Sequence, residues 1–144
     1  MASTYPARPN IGWRLLALVY DVFPALGLWF VTVSIAVALH GGEPVRSGTA
    51  AGFVELAALW AVTGIYATLS WRRGGQTLGM RPWRLHVVGD RGALSWRDAW
   101  LRYAVGTLSL LAAGLGFWWA WIDRDRRAWH DRASRSRVER RAKT

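Results

Sequence analysis

The sequence contains no cysteine, which excludes disulfides, thiolate metal sites and cysteine nucleophiles together. Its three histidines, His40, His86 and His130, are too scattered to give a metal-ligand spacing. Acids are scarce, nine against 19 Lys and Arg, for a net charge of +10. They form no pair at a spacing suited to acid–base work, and no serine, histidine and acid come together in the chain order as a nucleophilic triad. Trp129-His130-Asp131 sets a histidine beside an acid, but neighbours on a helix point about 100° apart and do not make a dyad. Catalysis, a metal and a cofactor are therefore not expected.

What the chain has instead is three long stretches with almost no charge, residues 15–39, 50–70 and 103–122, of 25, 21 and 20 residues. A helix needs roughly 20 apolar residues to cross the ~30 Å hydrocarbon core of a bilayer. The mean hydropathy of +0.08 conceals this, because apolar blocks alternate with basic ones. Many of the 11 tryptophans stand where the two kinds of block meet, among them Trp13, Trp71, Trp96, Trp100, Trp118, Trp119 and Trp121, as interfacial anchors do. Ala36-Val37-Ala38 resembles a leader cleavage site, but the first block is longer than a signal-peptide core and contains Asp21. It reads as an uncleaved span.

Basic residues then set the orientation. The segment 71–98 holds six arginines, whereas the loop over 40–49 has only Arg46 against Glu43. The positive-inside tendency puts 71–98 and the N-terminus in the cytoplasm and the first loop outside. The tail over 123–144 carries eight arginines and Lys143 against four acids. Beside a membrane segment, such a cluster suits anionic lipid headgroups better than nucleic acid. A plain third crossing would export this tail. Ala112-Ala113-Gly114-Leu115-Gly116 interrupts the third segment (99–122) with poor helix formers, so a broken or re-entrant form is favoured. The expected fold is an all-α membrane protein with two full transmembrane helices and a third broken or re-entrant hydrophobic segment.

Few polar residues lie inside these blocks. Arg14 and Asp21 are two turns apart on one helix face, about 10 Å along the axis. Arg14 either snorkels to headgroups or belongs to a polar stripe with Asp21. Asp21 is followed by Pro24, which loosens the helix there. It is either the structural partner of an arginine such as Arg102, or a carboxylate that binds a proton or cation. Glu55 lies near the outer end of the second block, and Gly52, Ala57, Ala58, Ala61 and Gly64 give that helix a small-residue face. Arg72-Arg73-Gly74-Gly75-Gln76-Thr77-Leu78-Gly79 invites a phosphate-loop reading but lacks the following lysine and hydroxyl. Trp83, Leu85, Val87 and Val88 among Arg81, Arg84 and His86 read as a short interfacial amphipathic piece, and Ser95 with Asp98 as a capping box.

Taken in order, Trp13-Arg14-Leu15-Leu16-Ala17, Asp21, Gly75-Gln76-Thr77-Leu78-Gly79, Arg84-Leu85-His86-Val87-Val88, Leu101-Arg102-Tyr103 and Ala128-Trp129-His130-Asp131-Arg132 resemble the RDD family of bacterial membrane proteins over nearly the whole chain, 1–144. Arg14 and Asp21 match the first two residues of the family's name; Asp131 matches the third, with Asp123 as a rival. Met80-Arg81-Pro82-Trp83 departs from the family pattern, and its proline speaks against a regular helix. The resemblance implies a multi-pass protein of the cytoplasmic membrane, involved in transport of a small cation, a proton or another small solute. The candidate polar site is Arg14, Asp21, Arg102 and Asp131, and the family loop contributes Gly75, Gln76, Thr77 and Gly79. So few helices cannot enclose a pathway alone, which calls for a homo-oligomer or a membrane partner. The alternative is a non-transporting module that anchors, assembles or regulates a partner protein.

Overall fold

The computed structural model describes residues 8–142; Lys143, counted with the basic tail, lies outside the described residues. Asn10 starts the first helix, α1 (Ile11–Leu39), its side chain accepting from the Gly12 N–H. Thr49 caps α2 (Ala50–Gly74), and Gly75 ends it in the left-handed conformation at φ 68°. With 29 and 25 residues, α1 and α2 are about 43 and 37 Å long at 1.5 Å per residue. Both are long and apolar enough to cross a membrane, each containing an 18-residue stretch, of mean hydropathy 2.2 and 1.5 respectively. Their outer faces expose Phe23, Phe30, Leu39, Phe53 and Val54, a surface that suits lipid rather than water.

The third block is broken, as its small residues predict. Helix α3 (Trp96–Leu111) and helix α4 (Leu115–Ile122) meet at 98°. The turn places Ala113 at φ 55° and Gly114 at φ 75°, values that end a right-handed helix outright. The chain then comes back: Gly116 packs against Ser109 and Trp129, and His130 lies against Gly106. At the start of α3, Ser95 accepts from the Asp98 N–H, and its hydroxyl also donates to the Asp98 carboxylate. That is a side-chain cap, in place of the reciprocal box expected.

Residues 71–98 hold an element that the all-α expectation did not contain. Strand β1 (Leu85–Gly89) pairs antiparallel with β2 (Ser136–Arg140), Val87 opposite Val138, so the expected amphipathic piece is half of a ribbon. Alternation explains it: Leu85, Val87, Ser136 and Val138 point inward, while the residues between them face outward. The inward set packs with Ala17, Met80, Leu94 and Ala99, flanked by Trp13, Trp71 and Trp83. Helix α5 (Trp129–Ala133) precedes β2. A second cluster of Ile11, Phe117, Ala120 and Ala128 ties α4 and the tail to the start of α1. Arg127 pairs with Asp90 at 3.0 and 3.2 Å, and Arg137 reaches Asp90 and Glu139. Arg127 and Arg137, two of the tail's eight arginines, are thus paired with acids of this chain.

The small-residue face of α2 is used mainly at Gly64. A Cβ there would lie 2.4 Å from the Trp100 ring of α3, whereas Ala57 and Ala58 are exposed. Glu55 is half-buried in the second turn of α2, with no hydrogen-bond partner among the described residues.

Candidate functional site

Three of the four polar residues singled out in the sequence meet at one point. Arg14, in the first turn of α1, reaches Asp131 Oδ2 at 2.6 Å, and Arg102, in the second turn of α3, reaches Asp131 Oδ1 at 2.5 Å. All three side chains are nearly sealed, at 6%, 4% and 0% exposure. Arg102 also donates to Ser136 Oγ at 2.9 Å and sits 5.1 Å from the Trp71 ring. The Ala128 N–H completes the coordination of Asp131 at 3.0 Å. Burial alone would push the Asp131 carboxyl up, but Arg102, His130 and Arg14 around it hold it well below the usual carboxylate range.

Two expectations are corrected here. Arg14 does not snorkel to headgroups; it is buried and paired. Arg102 is the partner of Asp131 and not of Asp21. The physical reason is the return of the chain after α4, which brings an acid to both arginines ahead of any on α1. Asp123, the rival of Asp131, stands apart at the end of α4. It accepts from the Arg127 N–H at 2.9 Å and from the Arg132 guanidinium, and these donors hold its carboxyl below the usual range.

His130 packs on Phe117 with ring centroids 4.7 Å apart. Its Nε2 is 3.6 Å from Asp131 Oδ1, too long for a hydrogen bond. Burial pushes its pKa down to about 3, with Arg102 and Arg14 adding to the shift and Asp131 opposing it. The ring is neutral at pH 7.

Asp21 belongs to a different arrangement, and it explains the glycine-rich loop. Its Oδ1 accepts from the Tyr66 hydroxyl at 2.9 Å and the Gly79 N–H at 2.9 Å, and its Oδ2 from the Thr77 hydroxyl at 2.5 Å. The Tyr66 oxygen in turn accepts from the Leu78 N–H. Gln76 spans to the ribbon through the Leu85 carbonyl at 2.9 Å, and Gly75 is the left-handed stop of α2. Gly75, Gln76, Thr77 and Gly79 therefore form a clasp that folds the start of the loop onto α1. Its amide binds a carboxylate of the same chain, where a phosphate loop would bind a ligand.

Both arrangements face one cavity of about 300 Å³ among α1, α2 and α3. Arg14, Arg102, His130 and Asp21 line one end, and Val22, Ala25, Trp29 and Leu110 continue along the helices. Thr63 and Tyr103 lie on its wall, where Trp29 donates to Thr63 and Tyr103 donates to the Trp60 carbonyl. Among the described residues no group of three or more His, Asp or Glu side chains is placed to hold a metal ion.

Tyr66, Trp71 and Ser136 are part of the site and were not foreseen. Tyr66 carried a signal, a polar-tipped ring inside an apolar block. Ser136 carried only its place in the alternating run before Val138, which becomes legible once that run is read as a strand.

The sequence profile of the RDD family matches residues 8–135, which takes in every residue of the cluster and clasp except Ser136. No curated protein and no solved structure matches the chain.

Proposed function

The chain belongs to the RDD family, and from that premise we propose that it is a multi-pass protein of the bacterial cytoplasmic membrane that moves a small solute, a cation or a proton. The cavity is the observation that carries this reading: about 300 Å³ among membrane-directed helices, with Arg14, Asp21 and Arg102 at one end. Charged groups at that depth are costly unless they pair or serve a pathway. The N-terminus, the 71–98 segment and the tail face the cytoplasm. Support comes from the layer in which Arg14, the β1–β2 ribbon and Asp131 gather at one end of α1 and α2, so that the basic segments share a side. The third block enters and leaves by that side. Transport requires a homo-oligomer, because three helices lack the walls of a closed pathway.

The competing reading, an anchoring or assembly module, draws support from Asp21. Its carboxylate already accepts three hydrogen bonds, so it serves the clasp first.

Proton flux driven by sodium, lithium or potassium in proteoliposomes separates the two. Flux in the wild type that falls to the level of empty liposomes in Asp21→Asn, at unchanged oligomer size, supports transport. Thr77→Val adds a control, since it opens the clasp but keeps the carboxylate. If it abolishes flux equally, Asp21 acts through the loop. No flux for any of the three ions supports the assembly reading.

A further inference from the structure

Two guanidiniums share one carboxylate at the polar end of the cavity, and that imbalance is the starting point. Asp131 takes one η nitrogen from each of Arg14 and Arg102. Arg14 Nε and Arg102 Nε are buried with no hydrogen-bond partner, and so is His130 Nδ1. The second η nitrogens of both arginines also make no hydrogen bond among the described residues. Those three atoms are sealed from the cavity, but the second η nitrogens belong to guanidiniums that line it, and guanidinium donors without partners are uncommon and costly. An acceptor that carries negative charge satisfies them best. Asp21 cannot supply it, since its oxygens are turned to Tyr66, Thr77 and Gly79.

Beyond that end, the cavity changes character. Ala17, Leu18, Val22, Ala25 and Leu110 make the wall apolar. From Arg14 to Trp29 it follows α1 for fifteen residues, about 22 Å at 1.5 Å per residue. A small inorganic anion would leave this length unfilled, and an uncharged chain would leave the guanidiniums unmet. α1 and α3, two of the three helices that line it, expose Val19, Phe23, Leu26 and Leu108 on their outer faces, so the ligand source next to the cavity is the bilayer.

We infer that the cavity holds a single-chain amphiphilic anion of the fatty-acid class, drawn from the membrane, with its carboxylate on Arg14 and Arg102 and its hydrocarbon along α1 and α3. This names the solute class for the site proposed above and rests on that site being a ligand cavity, though not on transport. The carboxylate brings the charge that Asp131 alone does not provide, and the apolar body fills the rest.

The test uses the full chain in nanodiscs of zwitterionic phosphatidylcholine, labelled with a photoreactive decanoate whose adducts are mapped by mass spectrometry. Decanoate, decanol and decylammonium compete at equal chain length, so that only the head differs. Adducts on the wall of α1 and α3, displaced by decanoate and not by the other two, are the expected result. Ala25→Phe, which narrows the apolar length and leaves the charge cluster intact, should lower labelling about tenfold. Adducts scattered over all lipid-facing surfaces, or equal displacement by decanol, would overturn the inference. Cation flux measured with the same protein in proteoliposomes keeps the two proposals apart. Flux without decanoate-specific labelling sinks this one alone, and specific labelling without flux sinks cation transport alone.

Discussion

A methyl group on Gly79 would lie 2.2 Å from the Ala17 carbonyl oxygen and 2.6 Å from Cγ of Asp21. The first neighbour is backbone and cannot turn aside, so Gly79→Ala has to push the loop off α1. A loss of about 1–3 kcal/mol is expected, the range for overpacking, read as a lower midpoint of thermal unfolding in detergent. Asp131→Asn should cost more, about 3–5 kcal/mol, because it leaves two buried guanidiniums without a counter-charge. The same cluster sets a pH dependence. His130 has a folded pKa of about 3, below its unfolded value of 6.5. Its neutral form thus contributes stability that is present above pH 6.5 and lost as pH falls towards 3. The slope reaches at most about 1.4 kcal/mol per pH unit. Asp131, also depressed, adds to the loss only below about pH 4. Unfolding midpoints across pH 4 to 8 should show the slope, and His130→Phe should flatten it.

Among the elements, the break in the third block carries a strain of its own. Ala113 sits at φ 55°, a left-handed conformation that costs a residue with a Cβ about 1 kcal/mol or more and glycine little. Ala113→Gly should therefore stabilise the protein by about 1 kcal/mol, seen as a higher unfolding midpoint, and should leave the 98° bend in place. This break was legible because it lies in local composition, as were the spans of α1 and α2 and the cap at Ser95. The ribbon was not. Leu85 to Val88 show an apolar and basic mixture that fits a surface helix as well as a strand, and the partner that decides between them, Val138, lies about fifty residues downstream. The site was legible one residue at a time. Arg14, Asp21, Arg102 and Asp131 stand out against apolar or aromatic surroundings, but their pairing follows from where α4 turns the chain, which no local pattern encodes.

For the whole molecule, the absence of cysteine makes orientation directly measurable. Single cysteines at Gly42, Arg91 and Asp125 report the first loop, the turn after β1 and the segment after α4. With a membrane-impermeant thiol reagent on intact cells, position 42 should label, and positions 91 and 125 only after permeabilisation. Labelling of 125 together with 42 would mean that the third block crosses outright. The contact between Arg14 and Asp131 links residues 117 positions apart, and that separation is also an interval of time. At 5–20 residues per second, a ribosome needs roughly 6–23 s to travel from one to the other. Throughout that interval the first span sits in the membrane with a buried-type arginine and no counter-charge. Nascent chains halted after α4 should stay in this unfinished state and be cleared by membrane proteases, so the 22 residues after α4 act as the release signal of assembly.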